Sequence, residues 1–417
     1  MSDSPIPSLA RRAALAAAEF RSLDTAARRA ILLTIADTLE TRREAILAAN
    51  AQDLAEARDA GRPAFDLARI ELDPAQFSGL VRRFRTLADF PEPVGSVVNE
   101  WVRPNGLQIR QVRVPIGVVG LATQARTLVV AEAAALCIKI GNALLAVADP
   151  VARRTALALA DTVRDAGVTG GLPRDAVQLV VADGPQAALD LARAQGLVDI
   201  LVPRGSAAYV ADIARHATVP VLKHLAGDTH LVVDAGADLD MALALVRDAC
   251  FADPWSCTSS NTLLLHANVA EAMLWKLAAE PPVRSGAFLV RPDARAAAIL
   301  GAEPVERTEP VPGDRPSLRV EVVDDIPSAI ARVNDLGSHV ADAIVTESDD
   351  SRAAFLRYVD SACACVNASP RFASGDEFGM GGEVGFSTDK IHARGPLGLE
   401  ALTTLRYLIC GKGQIRE

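Results

Sequence analysis

The stretch IGVVGLATQARTLVVAEAAALCIKIGNALLAVA, residues 116–148, indicates the fold class of this chain. Its two ends, 116–121 and 143–148, are apolar runs of strand length, and an alanine-rich segment of helical length separates them. Strands that alternate with helices favour a parallel sheet with crossover connections. Further runs of the same kind stand at 176–181, 199–202, 230–234, 261–266, 287–290, 318–323 and 342–346. The sequence therefore predicts an α/β protein with two parallel-sheet lobes in series.

Length and charge exclude several classes of protein. The 417 residues are 50% hydrophobic, and 43 basic against 52 acidic side chains give a net charge of −9. No run of basic residues offers the patch that nucleic acid binding needs. The most apolar segment, 127–148, is interrupted by Glu132, Lys139 and Asn142, so we expect no membrane helix. Glu19 interrupts the only alanine-rich run near the start, and we therefore expect a cytoplasmic protein without a secretory signal.

The first 60 or so residues have the spacing of apolar side chains that is typical of helices. Asp24 or Thr25 is the predicted helix cap, and Gly61 is the predicted stop. After them, the extended runs 97–102 and 107–114 flank Pro104-Asn105-Gly106, a strong signal for a β-hairpin. The segment 400–410 is a candidate third strand. A long hairpin with little core of its own needs its edges covered, so this arm predicts a homodimer.

Six cysteines are scattered over the chain, which is typical of reduced thiols rather than of a disulfide framework. Cys363 and Cys365 are two apart in an apolar run, and we expect both to be core residues. The histidines are equally dispersed, so no metal site is predicted. Cys257 differs because it lies in the polar turn of DPWSCTSSNTLLL, residues 253–265. On local composition, both a catalytic thiolate and a structural cysteine remain open.

Collinear motifs extend this interpretation along nearly the whole chain. The most extensive is STDKIHARGPLGLEALTT at 387–404, and the others are VNASPRF (366–372), EFGMGGEV (377–384), VPVLKHL (219–225), VPRGS (202–206), VRVPIGVV (112–119) and ANAQDLAEAR (49–58). Together with the turn at Cys257, they resemble the gamma-glutamyl phosphate reductases, a branch of the aldehyde dehydrogenase superfamily. The resemblance runs from about residue 10 to the C-terminus.

The resemblance implies a reaction and a set of residues. Members of this branch reduce L-glutamyl 5-phosphate with NADPH to glutamate 5-semialdehyde and phosphate, a step of proline biosynthesis. Cys257 stands in the position of the nucleophile that forms a thioester. The resemblance further assigns cofactor binding to the turn Arg204-Gly205-Ser206 and to Glu377-Phe378, and substrate binding to Ser256 and Asn367. A glutamate kinase is a possible partner.

The resemblance also implies a division of the chain. Residues 1–95 and 117–228 would form the cofactor-binding lobe, and 229–360 the lobe that carries the thiol. The hairpin at 96–116 would form an oligomerisation arm with 385–417.

The chain departs from the branch at positions that touch chemistry. Leu128 replaces an amide that would donate to the developing oxyanion, and loss of one such donor costs about 10²–10³ in rate. Asp149 and Pro150 replace Gly and Lys, which opposes binding of a cofactor phosphate. Asp253 replaces an arginine beside Cys257, where a negative charge disfavours the thiolate. The segment LGSHVAD at 336–342 retains only part of a polar signature of the branch.

Three interpretations remain open on the sequence. The chain is a divergent reductase of this branch, a thiol reductase with another acyl substrate and cofactor, or a non-catalytic binding partner.

Overall fold

The computed structural model describes residues 4–182, 184–224, 227–308 and 315–416. Its internal contacts divide the chain into two compact units. The first runs to Lys223 and adds Gly379–Gly385 and the residues from Pro396 onward, and the second comprises His224–Phe378 and Phe386–Gly395. Leu225, the last residue of the matched segment 219–225, lies outside the described residues. The domain boundaries expected from the sequence stay a prediction.

The first unit begins with helices, as the spacing of apolar side chains predicted. They are α1 (Ile6–Phe20), α2 (Thr25–Thr41), α3 (Arg43–Asp59), α4 (Ala64–Ile70) and α5 (Pro74–Asp89). The Asp24 carboxylate accepts a hydrogen bond from the backbone N–H of Ala27 at 2.8 Å, so the predicted cap of α2 is confirmed. α3 ends two residues before Gly61, which adopts a positive φ of 67°.

The hairpin follows these helices. β1 (Val97–Val102) and β2 (Gln108–Pro115) are antiparallel, and Gly106 in the connecting turn has a φ of 86° that favours glycine. The backbone N–H of Arg103 donates to the carbonyl of Leu107 at 2.8 Å and closes the turn. The Asn-Gly signal therefore predicted this hairpin correctly.

A four-stranded parallel sheet forms the core of the first unit, in the order β5-β4-β3-β6. Its strands and crossover helices are β3 (Val118–Thr123), α6 (Val129–Ile140), β4 (Ala143–Ala148), α7 (Arg153–Thr169), β5 (Val177–Val181), α8 (Gln186–Ala192), β6 (Ile200–Arg204) and α9 (Ala207–His216). Side chains of α1, α8 and α9 pack on one face. Both β3 and β4 are buried along their whole length, which explains why their sequences are continuous apolar runs.

The second unit contains a six-stranded parallel sheet in the order β12-β11-β7-β8-β10-β9. Its elements are β7 (His230–Val233), α10 (Leu239–Val246), β8 (Thr262–His266), α11 (Ala267–Ala278), α12 (Pro281–Arg284), β9 (Leu289–Pro292), α13 (Ala294–Leu300), β10 (Ser317–Val323), α14 (Ile326–Leu336), β11 (Ala341–Val345), α15 (Asp349–Tyr358) and β12 (Cys363–Val366). α10, α11 and α13 cover one face, and α14 and α15 cover the other.

The chain ends in short strands. β13 (Phe386–Ser387) pairs with β14 (Gly395–Pro396), and β15 (Thr403–Cys410) runs antiparallel to β2. The hairpin thus becomes a three-stranded arm in the order β1-β2-β15, which confirms the expected third strand. Within the part of the chain that the structure describes, no helix is both long enough and apolar enough to cross a membrane.

Two side chains of the segment ANAQDLAEAR explain why α3 is held firmly in the first unit. The buried amide of Asn50 donates to the carbonyl of Ile70 at 2.7 Å and accepts from the N–H of Leu72 at 2.8 Å. The buried carboxylate of Asp53 accepts from the backbone N–H and the hydroxyl of Thr155, at 2.8 and 2.7 Å, in the first turn of α7. Both residues therefore satisfy backbone groups that neighbouring elements leave open.

We expect Asp53→Ala to lower the free energy of unfolding by about 2–3 kcal/mol, because it leaves buried donors at the start of α7 without an acceptor. The corresponding fall in Tm is about 5–10 °C for a unit of this size, measured by scanning calorimetry. Gln52→Ala, on the exposed side of the same helix, is the matched control and should change stability by no more than about 0.5 kcal/mol. Equal Tm values for the two variants would contradict the capping role.

Candidate active site

Cys257 lies in a turn of the second unit whose backbone is anchored on both sides. The turn follows a single π-helical turn at Arg247–Phe251 and leads into β8. The N–H of Ser260 donates to the carbonyl of Ala249 at 2.8 Å, and the hydroxyl of Thr229 donates to the carbonyl of Cys257 at 3.5 Å. Cys257 itself is exposed, whereas the three residues after it are buried. The thiol is thus presented to solvent on a fixed backbone.

Ser256, predicted to bind substrate, contributes to the same turn. Its hydroxyl lies 3.1 Å from that of Thr258, and its backbone N–H donates to the carbonyl of Asp253 at 3.2 Å. The hydroxyl of Ser259 also donates to that carbonyl, at 2.5 Å. Asp253 therefore holds the turn together through its main chain, while its side chain is exposed. Its negative charge lies four residues before the thiol along the chain.

The other cysteines differ from Cys257 in burial. Cys137 and Cys250 are fully buried, and burial raises the pKa of both thiols. Cys363 and Cys365 lie half-buried on β12, and burial raises the pKa of Cys365 to about 11. Cys410 is exposed on β15, although its neighbours in the sequence are mainly apolar. A strand of the arm exposes side chains on both faces, which the local sequence did not reveal.

Glu377 and Phe378 are exposed at the end of the second unit. The N–H of Glu377 donates to the hydroxyl of Ser374 at 3.2 Å, and Glu377 lines a small cavity of about 130 Å³ with Asp248, Arg371 and Phe372. Arg371 forms an ion pair with Asp248 at 2.7 Å in this cavity. Sequence reasoning did not single out Arg371 as a candidate, although it stands in the matched segment VNASPRF.

Asn367, the other predicted substrate residue, is fully engaged with the neighbouring strand. Its amide donates to the carbonyl of Thr346 and accepts from the N–H of the same residue, both at 2.9 Å. Asn367 also has a φ of 51°, a conformation that asparagine tolerates better than most residues. The structure thus gives Asn367 a role in joining the ends of β11 and β12, and substrate binding stays a prediction.

The turn Arg204-Gly205-Ser206 lies at the carboxyl end of β6 in the first unit. The hydroxyl of Ser206 caps α9 by accepting from the N–H of Tyr209 at 3.3 Å, and the N–H of Ser206 donates to the side chain of Gln124 at 3.1 Å. A Cβ at Gly205 would lie 2.6 Å from the Tyr209 ring, so glycine is required there. Among the described residues, no acceptor lies within hydrogen-bond distance of the buried Nε of Arg204.

A cavity of about 330 Å³ lies at the same edge of the sheet, where parallel strands end. Asp149 and Pro150, which directly follow β4, line it together with Gln124, Tyr209 and Arg62. Sequence reasoning identified Asp149 and Pro150 but missed Tyr209 and Arg62, which come from other elements. The signal available for Tyr209 was its position, three residues after the matched segment VPRGS.

Two departures from the branch lie within buried structure. Leu128 is half-buried directly before α6. Val340 and Ala341 are fully buried and pack with Ala373 and Phe386. The apolar residues at 340 and 341 therefore fit the interior that surrounds them.

Comparison with known proteins agrees with this geometry. The model of the aldehyde dehydrogenase family matches residues 3–284. A gamma-glutamyl phosphate reductase from Thermobifida fusca is 39% identical over 413 residues, covering 98% of this chain and 98% of that protein. One from Moorella thermoacetica is 40% identical over 409 residues, covering 98% and 97%. The chain belongs to the gamma-glutamyl phosphate reductases of the aldehyde dehydrogenase family.

The crystal structure of gamma-glutamyl phosphate reductase from Thermotoga maritima has the same fold as this chain. Its TM-score is 0.90 at 29% identity, with 98% of this chain and 99% of that one covered. The family and the aldehyde dehydrogenase-like fold predicted from the motifs are therefore confirmed. Membership of the family implies a nicotinamide cofactor and a small-molecule substrate.

Alkylation of the folded protein with iodoacetamide at neutral pH tests the exposure of the thiols. We expect Cys257 and Cys410 to be labelled and Cys137 and Cys250 to be protected until the protein is unfolded, because only the first two are exposed. Peptide mass spectrometry over time measures each site. Cys410 is the matched control, since it is exposed on the arm and is not among the residues predicted to bind substrate or cofactor, and we expect Cys257 to react faster. Protection of Cys257 in the native protein would contradict the geometry of its turn.

Proposed function

We propose that this chain reduces L-glutamyl 5-phosphate to L-glutamate 5-semialdehyde and phosphate, with Cys257 as the nucleophile, in proline biosynthesis. The single observation that carries the proposal is full-length similarity to gamma-glutamyl phosphate reductases together with an exposed Cys257 in an anchored turn. The relatives do not favour the alternative of a non-catalytic binding partner. The chain is accordingly an oxidoreductase. A cytoplasmic location and a glutamate kinase partner stay predictions.

The role of Cys257 follows from the chemistry of an acyl phosphate. The thiolate attacks the acyl carbon, the bond from that carbon to the phosphate oxygen breaks, and phosphate leaves with the bonding electrons. The product is a thioester on Cys257. A bound nicotinamide dinucleotide supplies the hydride that reduces the thioester carbonyl. After this reduction the carbon–sulfur bond breaks, the aldehyde is released and the thiolate returns. No water-activating base is needed in this direction.

Residues of the first unit fit the binding of a dinucleotide. The cavity at the carboxyl ends of the parallel strands has the size of a small-molecule site, and the turn Arg204-Gly205-Ser206 lies at the same edge of that sheet, before the N-terminus of α9. We therefore propose that Arg204, Gly205 and Ser206 contact the pyrophosphate, and that Glu377 and Phe378 contact the nicotinamide half. The resemblance predicts NADPH as the dinucleotide.

Leu128 limits the rate in this proposal. An aliphatic side chain donates no hydrogen bond to the oxyanion that develops as Cys257 attacks, so stabilisation of that oxyanion depends on backbone N–H groups. We expect a slow but working reductase.

Replacing the thiol tests the proposal. We expect Cys257→Ser to reduce acyl phosphate reduction by about 10³-fold or more, because an unactivated hydroxyl is a poor nucleophile here. The wild-type chain should restore growth without proline to a strain that lacks its own gamma-glutamyl phosphate reductase, and Cys257→Ser should not. Cys410→Ser is the matched control and should restore growth. A well-folded wild-type chain that fails to restore growth would contradict the proposed reductase activity.

We also propose that the arm joins two copies of this chain. Trp101, Ile109, Leu405, Tyr407 and Ile409 share one face of its three strands, and all but Ile109 are strongly exposed. The rings of Trp101 and Tyr407 meet edge to face, with centroids 6.3 Å apart. β15 lies at the edge of the sheet, so its outer backbone groups also need a partner. A three-stranded sheet that exposes this much apolar surface is stabilised when a second copy covers it.

Sedimentation velocity of two variants tests the dimer. We expect Ile409→Asp to shift the chain toward monomer, since Ile409 is 63% exposed on the apolar face and its burial beside a partner would enclose an unpaired charge. Leu408→Asp makes the same change on the opposite face of the strand and is the matched control. A wild-type chain that sediments as a monomer would contradict the proposal, as would equal behaviour of the two variants.

A further inference from the structure

One acidic side chain controls the chemistry of the cavity in the first unit. Asp149 lies directly after β4, between the ends of the neighbouring strands β3 and β5. One carboxylate oxygen accepts from the N–H of Ala125 at 3.0 Å, and the other accepts from the N–H of Val151 at 3.4 Å. These bonds fix the rotamer and stabilise the ionised form. Burial is the larger effect and raises the pKa of this carboxyl group above its usual value, while the two hydrogen bonds and the charge of Arg62 oppose it.

Among the described residues, Arg62 is the only other charged side chain that lines the cavity, and Thr123, Gln124 and Tyr209 are its neutral polar groups. Tyr209 is largely buried beside it, and burial together with the charge of Asp149 raises the pKa of the phenol, which therefore stays neutral. Arg62 is exposed, with its guanidinium 3.7 Å from the carboxylate of Asp66. Pro150 supplies neither a backbone N–H nor a cation. The remaining lining residues are small or apolar and come from β4, from α8 and from the loop that precedes α8.

We propose that Asp149 makes this cavity a site for an adenosine ribose with a free 2′-hydroxyl, so that the chain selects NADH against NADPH. The inference rests on the proposed function, which requires a nicotinamide dinucleotide. A carboxylate at the end of a parallel strand accepts hydrogen bonds from ribose hydroxyls. The same charge repels a 2′-phosphate, which carries negative charge and acceptor oxygens only. This chain therefore departs from the NADPH that the resemblance predicts.

The backbone conformation of Ala125 supports the assignment of this cavity as a binding site. Ala125 has a φ of 47°, a left-handed conformation that is unfavourable for a residue with a side chain. Its N–H in that conformation points to the Asp149 carboxylate. Asp149 thus holds the loop after β3 in an otherwise unfavourable shape beside the cavity.

Binding of two fragments without the nicotinamide tests the inference. Isothermal titration of the full chain compares ADP-ribose with 2′-phospho-ADP-ribose, and we expect ADP-ribose to bind at least about tenfold tighter. Asp149→Asn keeps one acceptor oxygen but removes the charge, so the two affinities should converge to within about threefold. Asp165→Asn, on the outer side of α7, is the matched control and should leave the wild-type ratio unchanged.

Several results would overturn the inference: equal or tighter binding of 2′-phospho-ADP-ribose by the wild type, an unchanged ratio in a folded Asp149→Asn variant, or no binding of either fragment. If Asp149→Asn does not fold, the salt dependence of the wild-type ratio decides. If charge repulsion by Asp149 weakens the binding of 2′-phospho-ADP-ribose, added salt should screen it and bring the two affinities together. A ratio of affinities that does not change with salt would contradict the inference. A failure of the proposed reaction can be distinguished from a failure of this inference. Binding of the fragments does not involve Cys257, so their affinities should be the same in Cys257→Ser.

Discussion

The hydrogen bond from the N–H of Ser260 to the carbonyl of Ala249 fixes the turn on which the proposed chemistry depends. It joins Ala249, in the middle of the π-helical turn, to Ser260, two residues before β8, so that the chain between them must form a short surface loop with Cys257 in it. Buried Thr258 and Ser259 anchor the loop, and Thr229 on the approach to β7 binds the carbonyl of Cys257. A nucleophile held in this way loses little conformational freedom when it reacts.

The strands were predictable from the sequence because each is a short apolar run between turn signals. The runs 97–102 and 143–148 coincide with β1 and β4, and the other predicted strands agree with the observed ones to within two residues at each end, except that β15 begins three residues after the start of the predicted segment 400–410. The hairpin and the cap at Asp24 were predictable because they depend on local residues alone. β12 and the contacts of Asn367 were less accessible, since the partner residues lie about twenty positions away in sequence. The exposure of Cys410 was also not predictable from the local sequence, because it depends on which residues lie beside β15 in space.

The departures from the family have different physical consequences. Val340 and Ala341 fill a packed interior, so they belong to the stability of the second unit. In the proposed reaction, Leu128 would leave the developing oxyanion without one donor, which would change rate rather than fold. Asp149 accepts backbone hydrogen bonds from Ala125 and Val151, and it places a charge in a cavity, where that charge favours a ligand that donates hydrogen bonds and disfavours one that is negatively charged. A sequence comparison records all of these as lost motif residues, and only the structure separates them.

The proposed reaction requires the sulfur of Cys257 to form an acyl adduct with the glutamyl group. Mass spectrometry of the quenched enzyme measures this adduct. L-Glutamyl 5-phosphate is generated in place by a glutamate kinase with ATP, and the dinucleotide is omitted so that the adduct accumulates. We expect a glutamyl group on the peptide that carries Cys257. Hydroxylamine should remove this group, because it cleaves thioesters. An unmodified Cys257 under these conditions, in a folded protein, would contradict it.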